Sequence, residues 1–179
     1  MGFGADIEDY SSRSSPEKAE VQQRLATMEH GVLGDLGLSF NQEDHQGTGD
    51  GMYVFLPPAT EVHRALPRLI QSWQERLRSD NQRFRDRMRL RLATAIGPTD
   101  RTPFGFGGNA IVEMHRLLNS TVLRHALRDH PDADLAILVS DQLYSYVVVE
   151  GYPGLNAAHF QLRRIRVNGR PTRAWLWIG

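Results

Sequence analysis

Short apolar runs alternate with longer stretches of helical periodicity along the whole chain, which confines it to a sheet covered by helices. Residues 2–7 are an apolar start ending in Asp6-Ile7 and read as a first strand. In SSRSSPEKAE, serines precede Pro16 and Glu17, an N-cap with proline in the first helical turn. Val21, Leu25, Met28, Val32 and Leu33 then recur at helical spacing and predict a helix over 16–34, closed by Gly34 and Gly37. NQEDHQGTGDGMYVFLPP reads as strand, tight turn, strand: Thr-Gly-Asp-Gly supplies the turn, and Pro57-Pro58 stops the second strand. A second helix is predicted over 60–79, with Val62, Leu66, Leu69, Ile70, Trp73 and Leu77 on one face.

From Arg85 to Ile96 apolar residues alternate with arginine and alanine, predicting a strand with one buried face and a solvated arginine face. FGFGGN leads into a helix bearing Ile111, Val112, His115, Leu118 and Asn119, continued or repeated to Asp129. Leu135–Val139 reads as a buried strand and SDQLYSYVVV as a short helix. Leu162–Val167 and Ala174–Ile178 are predicted terminal strands around an Asn168-Gly169 turn. The order β-α-β-β-α-β-α-β-α-β-β predicts one α+β domain over 1–179, its sheet mixed or largely antiparallel rather than doubly wound.

Composition removes several chemistries. With no cysteine there is no disulfide, zinc-thiolate site, iron–sulfur cluster or Cys nucleophile. The seven histidines have no metal-ligand spacing. Lys plus Arg (21) balance Asp plus Glu (21), so no net charge draws the chain to nucleic acid or to an anionic membrane. The N-terminus lacks a basic and an apolar leader region, and a cytoplasmic protein is expected.

Two acids carry the chemical signal. Asp6 ends the first strand and Asp50 sits in the hairpin turn 44 residues on. If those strands are neighbours, both carboxylates project toward a common point. With a backbone carbonyl such as that of Ile7 they supply the hard oxygen ligands that Mg²⁺ or Mn²⁺ takes, and two such ions suit phosphoryl or nucleotidyl transfer. Taken singly, Asp6 reads as well as a helix-capping residue and Asp50 as an ordinary Asp-Gly turn residue.

In sequence order, ADIEDYS, GDGMYVFLP, LRLATAIG, FGFGGNAIVEMHRLLNS and LAILVSDQLY resemble the catalytic domain of class III adenylate/guanylate cyclases, over roughly residues 3 to 178. The nearest likeness is to short stand-alone cyclase-like proteins of high-GC Gram-positive bacteria. The resemblance implies a ferredoxin-like nucleotide cyclase fold, with active sites formed in a head-to-tail homodimer that binds a nucleoside triphosphate. Asp6 and Asp50, with the Ile7 carbonyl, match the ligands of two Mg²⁺ or Mn²⁺ ions. Arg116 matches the helix arginine that stabilises charge at the α-phosphate, a role suited to a planar, permanently charged guanidinium. Gln46 and Gly105 fall at the base-selecting positions, and Arg170 is the candidate for the terminal phosphates.

The chain departs from that pattern at Val112, where active members carry a ribose-binding asparagine, and at Gln46 and Gly105, which match neither the adenine nor the guanine pair. Gln46 both donates and accepts, so it does not choose a base. Two readings follow: a metal-dependent cyclase, or a cyclase-homology module that binds a nucleotide or a separately encoded protein partner without turnover.

Overall fold

β1 (Gly2–Ile7) is buried along its whole length, and the rest of the sheet is laid out around it. The computed structural model describes residues 1–41, 44–103, 105–167 and 170–179, without the side chains at 167 and 170. Phe3, Ala5 and Ile7 of β1 face one apolar cluster, while the alternate residues Gly2, Gly4 and Asp6 face the other way. The two glycines make room for aromatic rings. A Cβ on Gly4 would lie 2.5 Å from the Tyr53 ring, and one on Gly2 would lie 2.7 Å from Phe55.

After β1 the chain forms α1 (Ser15–Asp35), opened by a reciprocal Ser14–Glu17 capping box, then β2 (His45–Gly47) and β3 (Gly51–Phe55). α2 (Val62–Arg83), β4 (Leu90–Ala95), a small hairpin of β5 (Asp100–Thr102) and β6 (Gly105–Gly107), α3 (Asn109–Leu118) and α4 (Thr121–Asp129) follow. β7 (Leu135–Ser140), α5 (Asp141–Tyr144) with a π turn over Ser145–Val149, β8 (Phe160–Val167) and β9 (Arg170–Ile178) complete the chain. The seven-stranded sheet runs β2-β3-β1-β4-β7-β9-β8, and among its pairs only β4–β7 is parallel. The expected mixed, mostly antiparallel α+β sheet is what forms. The predicted Asn168-Gly169 turn lies outside the described residues.

α1 and α2 cover one face, where Trp73 is fully buried and meets Phe3 edge-on at 6.0 Å. α3 and α4 cover the other through Met114, Leu117, Leu118, Leu123 and Leu127, packed over Ala93, Ala95, Leu138 and Leu176. Each fully buried leucine of this kind contributes about 1.5–3 kcal/mol. Trp175 stacks flat on Tyr144 at 3.7 Å, so it serves packing. No helix among the described residues is long and apolar enough to cross a membrane.

β4 corrects the sequence reading. The strand begins at Leu90, not Arg85, and it is covered on both faces, because Ala93 and Ala95 lie under α3. Arg85 and Arg87, ahead of the strand, are exposed as expected, but the next two arginines are not solvated. Arg89 reaches Glu8 at 2.9 Å and Arg91 reaches Asp6 at 2.8 Å, with side chains only 19% and 15% exposed.

Candidate active site

Asp6 stands one residue from the end of β1, directly opposite Gly51 of β3 on one side and Arg91 of β4 on the other. It does not cap α1, whose cap is Ser14. The β2–β3 turn is closed by Thr48 N–H donating to the Gly51 carbonyl at 2.9 Å, with Gly49 at φ +94°. Gly51 is required by close approach, since a Cβ there would fall 1.9 Å from the Ala5 carbonyl oxygen. The Ile7 N–H donates to the Asp50 carbonyl at 3.0 Å, which fixes Asp50 beside the end of β1. The Thr48 hydroxyl donates to Asp50 Oδ1 at 3.3 Å. Adjacent backbone segments therefore place the two acids at one end of the sheet.

Their charges interact. Burial pushes the Asp6 carboxyl up to about 6; Arg91 pulls it back down, Asp50 adds to the rise, and Arg124 lowers it again. Arg91 grips Asp6 with both prongs, Nε to Oδ1 at 2.8 Å and Nη2 to Oδ2 at 3.1 Å. Tyr53, on the same face, is pushed up to about 12 by burial and then by Asp6 and Asp50. Its phenol therefore stays protonated and lies 3.1 Å from His115 Nδ1. From there a polar chain runs along the α3–α4 junction: Asn119 Nδ2 lies 3.4 Å from His115 Nδ1, and Arg124 donates to Asn119 Oδ1 at 2.9 Å.

The remaining candidates fall into three groups. Gln46 lies opposite Tyr53 in the β2–β3 pairing, and its Oε1 accepts the Phe106 N–H at 2.9 Å. Gly105, at φ +114°, is the residue it lies against, and a Cβ there would fall 2.2 Å from Gln46 Oε1. The two candidate base-selecting positions are thus one contact, and the Gln46 carbonyl already accepts one of the two bonds it can take. Arg116 lies on α3 near Glu113, whose carboxyl is raised by burial and then by Asp141, with Arg116 pulling it partly back. Arg116 is not among the charges acting on Asp6. Val112 is 40% exposed on the same helix. Arg170 opens β9, and its side chain lies outside the described residues.

The donor set fits a hard divalent cation, with two carboxylates and the adjacent Ile7 backbone. Among the described residues no group of three or more His, Asp or Glu could hold a metal ion. The balance of any ion's ligands would therefore come from carbonyls, water and substrate. A groove of about 680 Å³ at the end of α1 and start of α2, bordered by Asp35, Thr60, Arg64 and Arg68, includes neither aspartate.

Arg91, Tyr53 and His115 did not stand out in the sequence. A signal for Arg91 was present: Asp6 and Glu8 alternate on one strand as Arg89 and Arg91 alternate on another, and antiparallel pairing matches each acid to an arginine.

No family model matches the chain, and no curated protein matches its sequence. Solved structures do match its fold. An adenylate/guanylate cyclase/hydrolase from Silicibacter pomeroyi is 18% identical with a TM-score of 0.64, over 99% of this chain and 95% of that one. The catalytic core of a rhodopsin-guanylyl cyclase with converted specificity, in complex with ATPαS, is 14% identical with a TM-score of 0.62, over 99% and 93%. The guanylate cyclase domain of RhGC from Catenaria anguillulae, in complex with GTP, is 13% identical with a TM-score of 0.57, over 99% and 94%. The chain has the fold of class III adenylate/guanylate cyclase catalytic domains.

Proposed function

We propose that this chain is a metal-dependent nucleotidyl cyclase that converts a nucleoside triphosphate to a 3′,5′-cyclic nucleotide and pyrophosphate, acting as a head-to-tail homodimer. The observation that carries this reading is the placement of Asp6 and Asp50 on adjacent backbone segments at one end of a cyclase-fold sheet, close enough for the Asp50 charge to raise the Asp6 carboxyl.

Asp6 and Asp50, with the Ile7 carbonyl, are the residues that would hold two Mg²⁺ or Mn²⁺ ions. When bound, such ions acidify a ribose hydroxyl and neutralise triphosphate charge. The other roles belong to the chain. Asp6 is nearly buried and cross-strand paired, so it is a rigid anchor, while Asp50 on its turn is the more accessible acid. The ribose 3′-hydroxyl gives up its proton to water as its oxygen attacks the α-phosphate in line, and the bond from the α-phosphorus to the bridging oxygen breaks to release pyrophosphate. Arg116 of a second copy stabilises the charge that develops on the α-phosphate oxygens. Gln46, its carbonyl accepting one bond from Phe106, still offers the base its amide N–H groups and a second carbonyl lone pair, and Arg170 is the candidate for the terminal phosphates.

A second reading, a cyclase-homology module without turnover that binds a nucleotide or a separately encoded protein partner, is favoured by Val112, which cannot hydrogen-bond a ribose. The two separate by incubating the purified chain with each of the four triphosphates and Mn²⁺, then analysing the products by mass spectrometry. A cyclic nucleotide that disappears in Asp50→Ala supports the cyclase. Triphosphate binding with no product from any base supports the module.

A further inference from the structure

The Arg91–Asp6 pair has unusual placement for a structural ion pair. Both carboxylate oxygens of the more buried candidate metal ligand are engaged by one guanidinium, at 2.8 and 3.1 Å. The two residues are direct cross-strand partners, and their side chains are only 15% and 12% exposed. Little water is therefore available to screen a third charge placed beside them. A divalent cation that takes an Asp6 oxygen arrives within a few ångströms of a fixed positive charge. It must either displace the fork or accept that repulsion.

We propose that Arg91 is a built-in counter-cation that competes with the divalent ion for Asp6, and that it thereby sets the metal affinity of the site. The inference rests on the reading of Asp6 and Asp50 as metal ligands. The neighbouring Arg89 supplies the internal contrast. It pairs with Glu8 at 2.9 Å but spends its other donors on the carbonyls of Leu127, His130 and Ala133, so it is fastened to the fold rather than to a ligand. Among the described residues, Arg91's side-chain bonds are to Asp6 alone.

The test measures Mn²⁺ binding to EDTA-stripped, re-dialysed full-length protein, by calorimetry and by the electron paramagnetic resonance signal of the free ion. Arg91→Met keeps the aliphatic stem and removes the competitor, and should tighten the Mn²⁺ dissociation constant by about tenfold or more. Arg91→Lys keeps a charge without the fork and should fall between that variant and wild type. Binding that is unchanged or weaker in Arg91→Met would overturn the proposal and make Arg91 an orienting partner of Asp6. Should Arg91→Met not fold, Arg91→Lys and the wild-type Arg91 side-chain Nε–H resonance carry the test. That resonance should be shifted in EDTA by its carboxylate bond, and should lose the shift as Mg²⁺ saturates the site. A resonance indifferent to Mg²⁺ would overturn the proposal too. If Asp50→Ala leaves Mn²⁺ binding intact, the metal-ligand reading itself has failed, separately from Arg91.

Discussion

Ionised Asp6 should be a burden on the fold, and the size of that burden follows from its position. The carboxyl moves from the ordinary 3.8 to about 6 because burial outweighs Arg91. A folded-state value above the unfolded one means that Asp6 costs nothing at low pH. Its cost grows as pH rises from about 4 through about 6 and is complete above that. Some 2 units correspond to about 3 kcal/mol at neutral pH, and about 2 kcal/mol of this accrues between pH 4.5 and 7.5. The side chain is only 12% exposed, so solvent screening removes little of it. Asp6→Asn keeps the shape and removes the charge. Its amide satisfies only one prong of Arg91, a loss of about 1 kcal/mol that does not change with pH. The stability of Asp6→Asn relative to wild type should therefore rise by about 2 kcal/mol between pH 4.5 and 7.5. For a chain of this length that is about 4–8 °C in Tm. Thermal melts of both proteins in EDTA at the two pH values measure it. A Tm difference that stays flat with pH, or moves in wild type's favour at pH 7.5, would refute the reasoning that burial dominates at Asp6.

Other outcomes follow from the same geometry. Asp50→Ala should lower cyclisation by about 10³-fold, the several kcal/mol of charge stabilisation a metal site supplies, while leaving the melting curve nearly unchanged; initial rates and circular dichroism check both. Gly105→Ala should cost about 1–3 kcal/mol, because the residue sits at φ +114° and its methyl would collide with Gln46; a urea titration reads the loss. Gly34→Ala, on an α1 position with open space around it, should instead stabilise by about 0.4–1 kcal/mol in the same titration. Tyr53→Phe should cost about 1 kcal/mol through the lost His115 hydrogen bond, visible as a lower urea midpoint at unchanged slope.

Local signals carried most of the fold. The serine cap with Glu17 and the period of Val21, Leu25 and Met28 place α1 within a residue of its ends, and Thr-Gly-Asp-Gly places the β2–β3 turn. Asp6 and Asp50 were legible because both lie where an element ends. What was not legible depends on pairing across long separations. Ala93 and Ala95 look neutral in sequence and become core only because α3 lies over them. Arg91 of β4 looks solvated until antiparallel register sets it against an acid 85 residues earlier. Likewise the Gln46–Gly105 contact exists only once the β5–β6 hairpin folds back on β2. The Tyr53 ring had one available clue, the Gly-Phe-Gly of β1 facing Tyr-Val-Phe of β3, where small residues mark the path of large ones.

In the proposed dimer the aspartates of one chain work with Arg116 of another, and mixing two silent variants tests this most directly. Asp50→Ala and Arg116→Ala should each give no cyclic nucleotide alone. Equal amounts co-refolded should recover about a quarter of wild-type activity, because half of the dimers are mixed and each mixed dimer holds one intact site of two. A mixture that remains silent although differently tagged subunits co-purify would contradict a site shared between chains.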